Sequence, residues 1–305
     1  MSLKRLLRSR AALLVAAAAA AALTTATLLI GPSVNGARSQ PRLVHVEPSE
    51  FAPVVVFEQY GERCLNFEEM EGEGRQSCMQ LDDPRRMVFE YTRMMTGAVL
   101  AKPDAKSVLI VGLGGGTLPT ALHELLPDAQ IDTVEIDPAV VKVAQTYFDY
   151  RPGPRQRIHV EDGRAFVQAA LRAGRTYDMV MLDAFDVDYI PAHLLTVEFL
   201  REVSQVLAPG GLVVANSFAQ SHTRARESAT YAAVFGRFYN LNAWLEGNRI
   251  IIAANDPLPQ TAFIEQNARA LAKRLAPYGI DATEVAARFV LSPSDAGEGA
   301  EPLRD

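Results

Sequence analysis

Cysteine is scarce in this chain: only Cys64 and Cys78 occur among 305 residues. The five histidines, His45, His123, His159, His193 and His222, lie far apart, without the short pairwise spacing of zinc ligands, so no metal is expected. An excess of positive charge is also missing. Thirty Lys and Arg stand against 36 Asp and Glu, the net charge is −6, and the basic residues are scattered among acids. A nucleic-acid backbone is therefore excluded as the partner, since phosphate binding wants clustered cations. Ser217 and Ser221 lack the glycine-flanked pattern of a nucleophile elbow, which leaves a hydrolytic triad unsupported.

Long apolar runs are confined to the N-terminus. Lys4, Arg5, Arg8 and Arg10 precede an uncharged stretch from Ala11 to Val34, so residues 1–36 read as a signal peptide or a membrane anchor. Val34-Asn35-Gly36 and Gly36-Ala37 are mediocre cleavage sites, which favours an uncleaved anchor. Positive charges before the span then place the globular part on the non-cytoplasmic side. Residues 37–50 read as a linker.

With 49% hydrophobic residues, the remainder can bury one substantial core and a small second one. Residues 51–96 read as a small antiparallel β domain with a connecting helix that opens at Asp82-Asp83-Pro84. Two of its strands, joined by a Gly72-Glu73-Gly74 turn, set Cys64 nearly opposite Cys78. A cross-strand disulfide fits an exported location, and a pair of thiols fits a cytosolic one.

From Ser107 the pattern turns to alternating strands and helices, the mark of an α/β sheet. Strands are predicted at 107–112, 130–136, 157–161, 177–183 and 211–217, with helices at 117–126, 138–148, 163–173, 195–207 and 223–235. The nucleoside-binding domain, 97–256, ends in a hairpin from Phe238 to Ala254 through Gly247. An antiparallel hairpin after parallel strands suits the methyltransferase-type, Rossmann-like variant of the doubly wound fold. C-terminal helices follow over 257–291, and the polar stretch 292–305 reads as a disordered tail.

The chemistry concentrates at the strand ends. Ser107 to Val111 runs into Gly112-Leu113-Gly114-Gly115-Gly116, and Glu135 closes the next strand. A glycine turn alone need only permit a tight strand-to-helix passage. The acid at this distance makes it a nucleoside site, with Gly112, Gly114 and Gly116 at the ligand and Glu135 on the ribose diol. Asp137 reads as a helix cap. Asp162, before Gly163, can accept from an adenine amine or cap the following helix. Asp183 and Asp186 end the fourth strand, where two carboxylates can bind a cationic amine and one can take its proton.

As a set, Phe89-Glu90-Tyr91-Thr92-Arg93-Met94-Met95-Thr96, Val134-Glu135-Ile136-Asp137, Glu161-Asp162-Gly163 and the run from Tyr177 to Asp183 resemble the spermidine synthase family of polyamine aminopropyltransferases. The resemblance implies a small N-terminal β domain before a methyltransferase-like domain. It also implies decarboxylated S-adenosylmethionine as the cofactor, with no metal, and a small-molecule amine as acceptor. By carry-over, Glu135 holds the ribose, Asp162 and Gly163 the adenine side, and Asp183 the donor's amine. Asp186 is the base, while Tyr91 and Trp244 line the acceptor groove. The family's glycine motif normally includes an aspartate that binds the aminopropyl ammonium, and that place falls here at Gly115. Two further readings therefore stand beside it: an S-adenosylmethionine-dependent methyltransferase, and a non-catalytic nucleoside- or polyamine-binding module. Open edges of the small sheet could pair subunits into a homodimer.

Overall fold

Short runs of buried Val, Phe and Leu build the first sheet in the computed structural model, which describes residues 40–67, 75–184, 191–218, 223–242, 247–292 and 299–305. Strands β1 (Arg42–Glu47), β2 (Val54–Gln59), β3 (Glu62–Phe67) and β4 (Ser77–Gln80) pair antiparallel in chain order. Tyr60 and Gly61, with φ of 53° and 80°, make the two-residue turn between β2 and β3. Positive φ at both positions gives a turn whose twist matches that of the flanking strands. Cys64 stands opposite Cys78 in the β3–β4 ladder, and the two are joined by a disulfide with their Cα atoms 4.1 Å apart.

Two expectations fail in this part of the chain. Residues 37–50 are not simply a linker, because β1 lies within them and pairs with β2. The helix expected from Asp82 starts only at Glu90, as α1 (Glu90–Thr96). Asp83 accepts the Arg86 amide in a single turn, then Met87 bridges back to Met79 and donates its amide to the Tyr278 carbonyl, so no helix begins before Glu90.

The second sheet has the order β12-β10-β11-β9-β8-β5-β6-β7. Its parallel strands are β5 (Ser107–Val111), β6 (Gln130–Glu135), β7 (Gln156–Val160), β8 (Tyr177–Leu182) and β9 (Leu207–Phe218). Beyond β9 come β10 (Tyr239–Asn242), β11 (Asn248–Ala253) and the two-residue β12 (Val290–Leu291), each antiparallel to its neighbour. The terminal hairpin expected from the sequence is β10–β11. Helices α2 (Thr117–Leu125), α3 (Pro138–Tyr147), α4 (Gly163–Arg172), α5 (Val197–Gln205) and α6 (Arg224–Phe235) alternate with the parallel strands. Helices α7 (Thr261–Leu275) and α8 (Ala282–Ala287) close the C-terminal part.

Side chains alternate across the central strands and both faces are covered, as a parallel sheet requires. Val108, Ile110, Met179, Met181 and Val214 enter the core with residues of α1, α2, α7 and α8. Leu109, Val111, Val180, Val213 and Ala215 point the other way, towards α4, α5 and α6. The small sheet packs on α3, where Val54, Val56 and Leu65 meet Val140, Val143 and Phe148. Residues Pro41–Asp305 thereby form one compact unit.

The tail expected to be disordered is docked over 299–305. Leu303 accepts from the Val197 amide at 2.9 Å and donates its own amide to Thr230 Oγ1 at 2.9 Å. Asp305 receives two hydrogen bonds from Arg164, at 2.7 and 2.8 Å, and one from Thr196. Its polar composition serves particular partners rather than solvent alone. Among the described residues no helix is long and apolar enough to cross a membrane; the segment 1–36 lies outside them.

Candidate nucleoside site

The glycine turn between β5 and α2 sits where the parallel strands diverge on either side of β5, the position at which open α/β sheets bind ligands. Gly112, Gly114 and Gly116 all have positive φ, at 103°, 52° and 82°. At Gly112 a Cβ would collide with the Asp183 carbonyl oxygen, so only glycine lets the ends of β5 and β8 approach. The turn's amides are largely committed within the protein. Gly112 N–H donates to Val134 O at 2.8 Å, Leu113 N–H to Glu135 Oε2 at 3.0 Å, Gly115 N–H to Ser77 Oγ at 3.0 Å, and Gly116 N–H to Leu113 O at 2.9 Å. A phosphate cradle needs such donors free. This turn offers close backbone approach instead.

Glu135 ends β6 beside it. Its Oε1 accepts the Asp137 amide at 3.1 Å and its Oε2 the Leu113 amide at 3.0 Å, which fixes the carboxylate plane. Burial pushes the Glu135 carboxyl up, against the pull of the Asp137 and Leu113 amides. Asp137 caps α3 by accepting from Ala139 N–H at 2.7 Å.

Of the two roles open to Asp162 in the sequence, the structure shows the helix cap. Its Oδ1 caps α4 by accepting the Ala165 amide at 2.9 Å, while Oδ2 lies 2.9 Å from His193 Nε2. Burial raises this carboxyl, but the Ala165 amide and the His193 ring outweigh it and hold it below the usual range. The adjoining Gly163 packs so closely on Val111 that a Cβ would collide with that side chain.

Asp183 follows the last residue of β8, with its amide tied to Val111 O at 2.8 Å. Oδ1 accepts from Asn216 Nδ2 at 2.9 Å, and Asn216 in turn accepts from Asn248 Nδ2 at 3.0 Å. Burial pushes the Asp183 carboxyl up to about 7, opposed by the Asn216 hydrogen bond. The adjacent cleft is lined by Val111, Leu182, Ala184, Leu195, Asn216 and Tyr231. Behind it, Arg249 and Glu227 form a fully buried pair at 3.0 Å, with the Ser217 hydroxyl donating to the same carboxylate.

Seven of the residues expected at the site, Gly112, Gly114, Gly116, Glu135, Asp162, Gly163 and Asp183, come from the carboxyl ends of β5 to β8, the turns that follow them or, for Gly163, the start of α4. Tyr91 is carried on α1, half-buried and stacked on Phe89 with ring centroids 5.7 Å apart. Asp186 and Trp244 lie outside the described residues. Three participants had no sequence expectation attached: Ser77, His193 and Asn216. For Asn216 a signal existed, a polar residue interrupting the apolar run Leu212 to Ala215 at a strand's carboxyl end. Ser77 and His193 carry none.

A family model described as the spermine/spermidine synthase domain matches residues 88–239. The polyamine aminopropyltransferase of Vibrio vulnificus is 42% identical over 245 residues, covering 79% of this chain and 82% of that protein. A crystal structure of a probable spermidine synthase from Corynebacterium glutamicum shares the fold, with a TM-score of 0.65 at 22% identity over 86% of this chain and 96% of that one. Human methyltransferase-like protein 13, solved in complex with SAH, aligns with a TM-score of 0.56 at 27% identity over 61% of this chain and 91% of that one.

Proposed function

The chain belongs to the spermine/spermidine synthase family of aminopropyltransferase enzymes, and from that premise we propose that its crevice takes decarboxylated S-adenosylmethionine and passes the aminopropyl group to a polyamine-type amine. The observation that carries this reading is the carboxylate of Asp183, partly desolvated beside a glycine turn whose amides are already taken. Such a site disfavours phosphate and favours a cationic nucleoside. Bound there, the donor brings a sulfonium-activated carbon at which the acceptor nitrogen forms a C–N bond as the C–S bond breaks and methylthioadenosine leaves.

The chain's own residues do the rest. Glu135, oriented by two backbone amides, accepts from the ribose hydroxyls. Asp162 presents its Oδ2 side to the adenine amine. Asp183 pairs with the donor's ammonium, and Asp186 takes the proton from the attacking amine. Tyr91 and Trp244 line the acceptor groove.

A second reading, methyl transfer from intact S-adenosylmethionine, draws on Gly115. A residue without a carboxylate at that place does not repel an amino acid carboxylate, and the match to a methyltransferase solved with SAH points the same way. Titration calorimetry with the decarboxylated donor, the intact one and methylthioadenosine separates the two. The decarboxylated donor is expected to bind more tightly than the intact one, and to yield aminopropylated amine and methylthioadenosine in equal amounts. Preference for the intact donor would reverse the assignment, and binding of none of the three would sink both.

The same proposal places the globular part on the non-cytoplasmic side, held at the membrane by the N-terminal segment. Support comes from the basic residues before Ala11 and from the disulfide, which oxidising compartments preserve. A C-terminal reporter that works only in the cytoplasm is expected to be silent; an active fusion would refute export. A homodimer through the open edge of β1, where Leu43 and Val46 are exposed, belongs to the proposal as well.

A further inference from the structure

The small sheet reaches the glycine turn at a hydroxyl. Ser77 Oγ accepts the Gly115 amide at 3.0 Å, and the serine is buried. A Cβ placed on Gly115 would stand 2.9 Å from that oxygen and 3.0 Å from the Phe148 ring, so serine and phenylalanine already fill the room beneath the turn. The next residue along β4 is Cys78. Successive side chains on a strand point to opposite faces, and here Ser77 faces the turn while Cys78, with Cys64 and Phe57, packs beneath Val88 and Phe89.

What keeps Ser77 in place is local. Strand β4 has four residues and pairs with β3 from Glu62↔Gln80 to Leu65↔Ser77, with the Gln76 amide donating to Leu65 O at 3.1 Å just beyond and Met79 bridged to Met87 on its outer side. Ser77 is the last pair of that ladder, the position most prone to fray. The Cys64–Cys78 bond crosses the ladder one residue earlier. It removes the freedom through which the final pair would open.

We propose that Ser77 is a positioning residue of the nucleoside site and that the Cys64–Cys78 disulfide is the clamp that holds it there. The conformation of the turn, and through it the affinity for an adenosyl ligand, then depends on a covalent bond in the other sheet. The affinity half of this inference rests on the reading of the turn as an adenosyl site. The conformational half does not.

Four proteins test it: the wild type, Ser77→Ala, the Cys64→Ser/Cys78→Ser pair, and the combination. The ligand-free readout is hydrogen exchange at the Gly115 amide. Loss of one hydrogen bond is expected to speed it about fivefold in Ser77→Ala, with a similar gain in the disulfide variant and no further gain in the combination. Titration with methylthioadenosine is expected to show the same pattern, about fivefold weaker binding in each and no multiplication when they are joined. In steady state, Ser77→Ala raises the donor KM by that factor and leaves the amine KM and kcat alone, a split that a general loss of stability does not produce. Unchanged Gly115 exchange in Ser77→Ala would overturn the role of Ser77. Unchanged exchange in the disulfide variant, or losses that multiply, would overturn the clamp. If the cysteine variants fail to fold, folded wild type reduced by a dithiol replaces them in both readouts. A wild type that binds no methylthioadenosine counts against the proposed function, and hydrogen exchange still decides this inference.

Discussion

An Asp186→Asn variant is expected to lose turnover by about two to four orders of magnitude, the usual weight of a positioned general base, while its affinity for methylthioadenosine stays unchanged. An amine that arrives as an ammonium ion cannot attack carbon until a proton leaves, and the amide that replaces the carboxylate has the same size but no basic lone pair. Three residues before it, Asp183 leaves the sheet with its amide fastened to Val111, so the chain enters this segment at the switch point itself. Steady-state rates and calorimetry on the same preparation make the measurement. Normal turnover would assign the proton to another group, and lost nucleoside binding would make Asp186 a binding residue.

Acidification from pH 7 to pH 5 is expected to weaken the decarboxylated donor about tenfold per unit. The cause is Asp183, whose carboxyl burial pushes up to about 7 in the unliganded protein. An ammonium group pairs with the ionised carboxylate, so below that value binding must expel a proton, and above it the affinity levels off. Methylthioadenosine, which lacks the amine, serves as the control and should show no such slope from this group. In Asp183→Asn the slope disappears, along with the contact itself. Were the slope to persist in that variant, the titration would belong to another group. Stability carries the opposite sign: between the ordinary carboxylate range and about 7 the native state holds more protons than the unfolded one. The contribution from Asp183 is fully present at acid pH and declines as pH rises through that window.

The parallel domain was legible because its signals are local and redundant. An apolar run such as Met179 to Leu182 has few fates other than a covered strand, and Asp137-Pro138 marks a helix start by cap and first-turn proline together. The places of Glu135, Asp162 and Asp183 at or just after strand ends were legible for the same reason, since each follows a strand with its own apolar signal. The stretch from Asp82 to Phe89 misled because a cap-like Asp-Asp-Pro was outweighed by a distant bond, Met87 to Tyr278. His193 and Ser77 were out of reach on different grounds. Each meets its partner across the fold, Asp162 from 31 residues away and Gly115 from 38, and a single histidine or serine announces no such pairing. The docked tail was misread because composition predicts solvation, whereas Asp305 had Arg164 waiting.

The joint between β5 and β8 bears on the order in which the molecule comes together. Asp178 receives the amides of Lys106 and Ser107 at the start of this joint, and Ser107 is 71 residues away in the chain. By contrast, every pairing in β1 to β4 is between neighbours in sequence, so those hairpins can close early at low entropic cost. A nascent chain that has emerged as far as Tyr150 already owns the disulfide, the glycine turn and Glu135, yet has no Asp183 to set beside them. On the function proposed above, recognition of a cationic nucleoside waits on this long-range joint, and occupancy by that ligand marks a chain in which β8 has docked on β5.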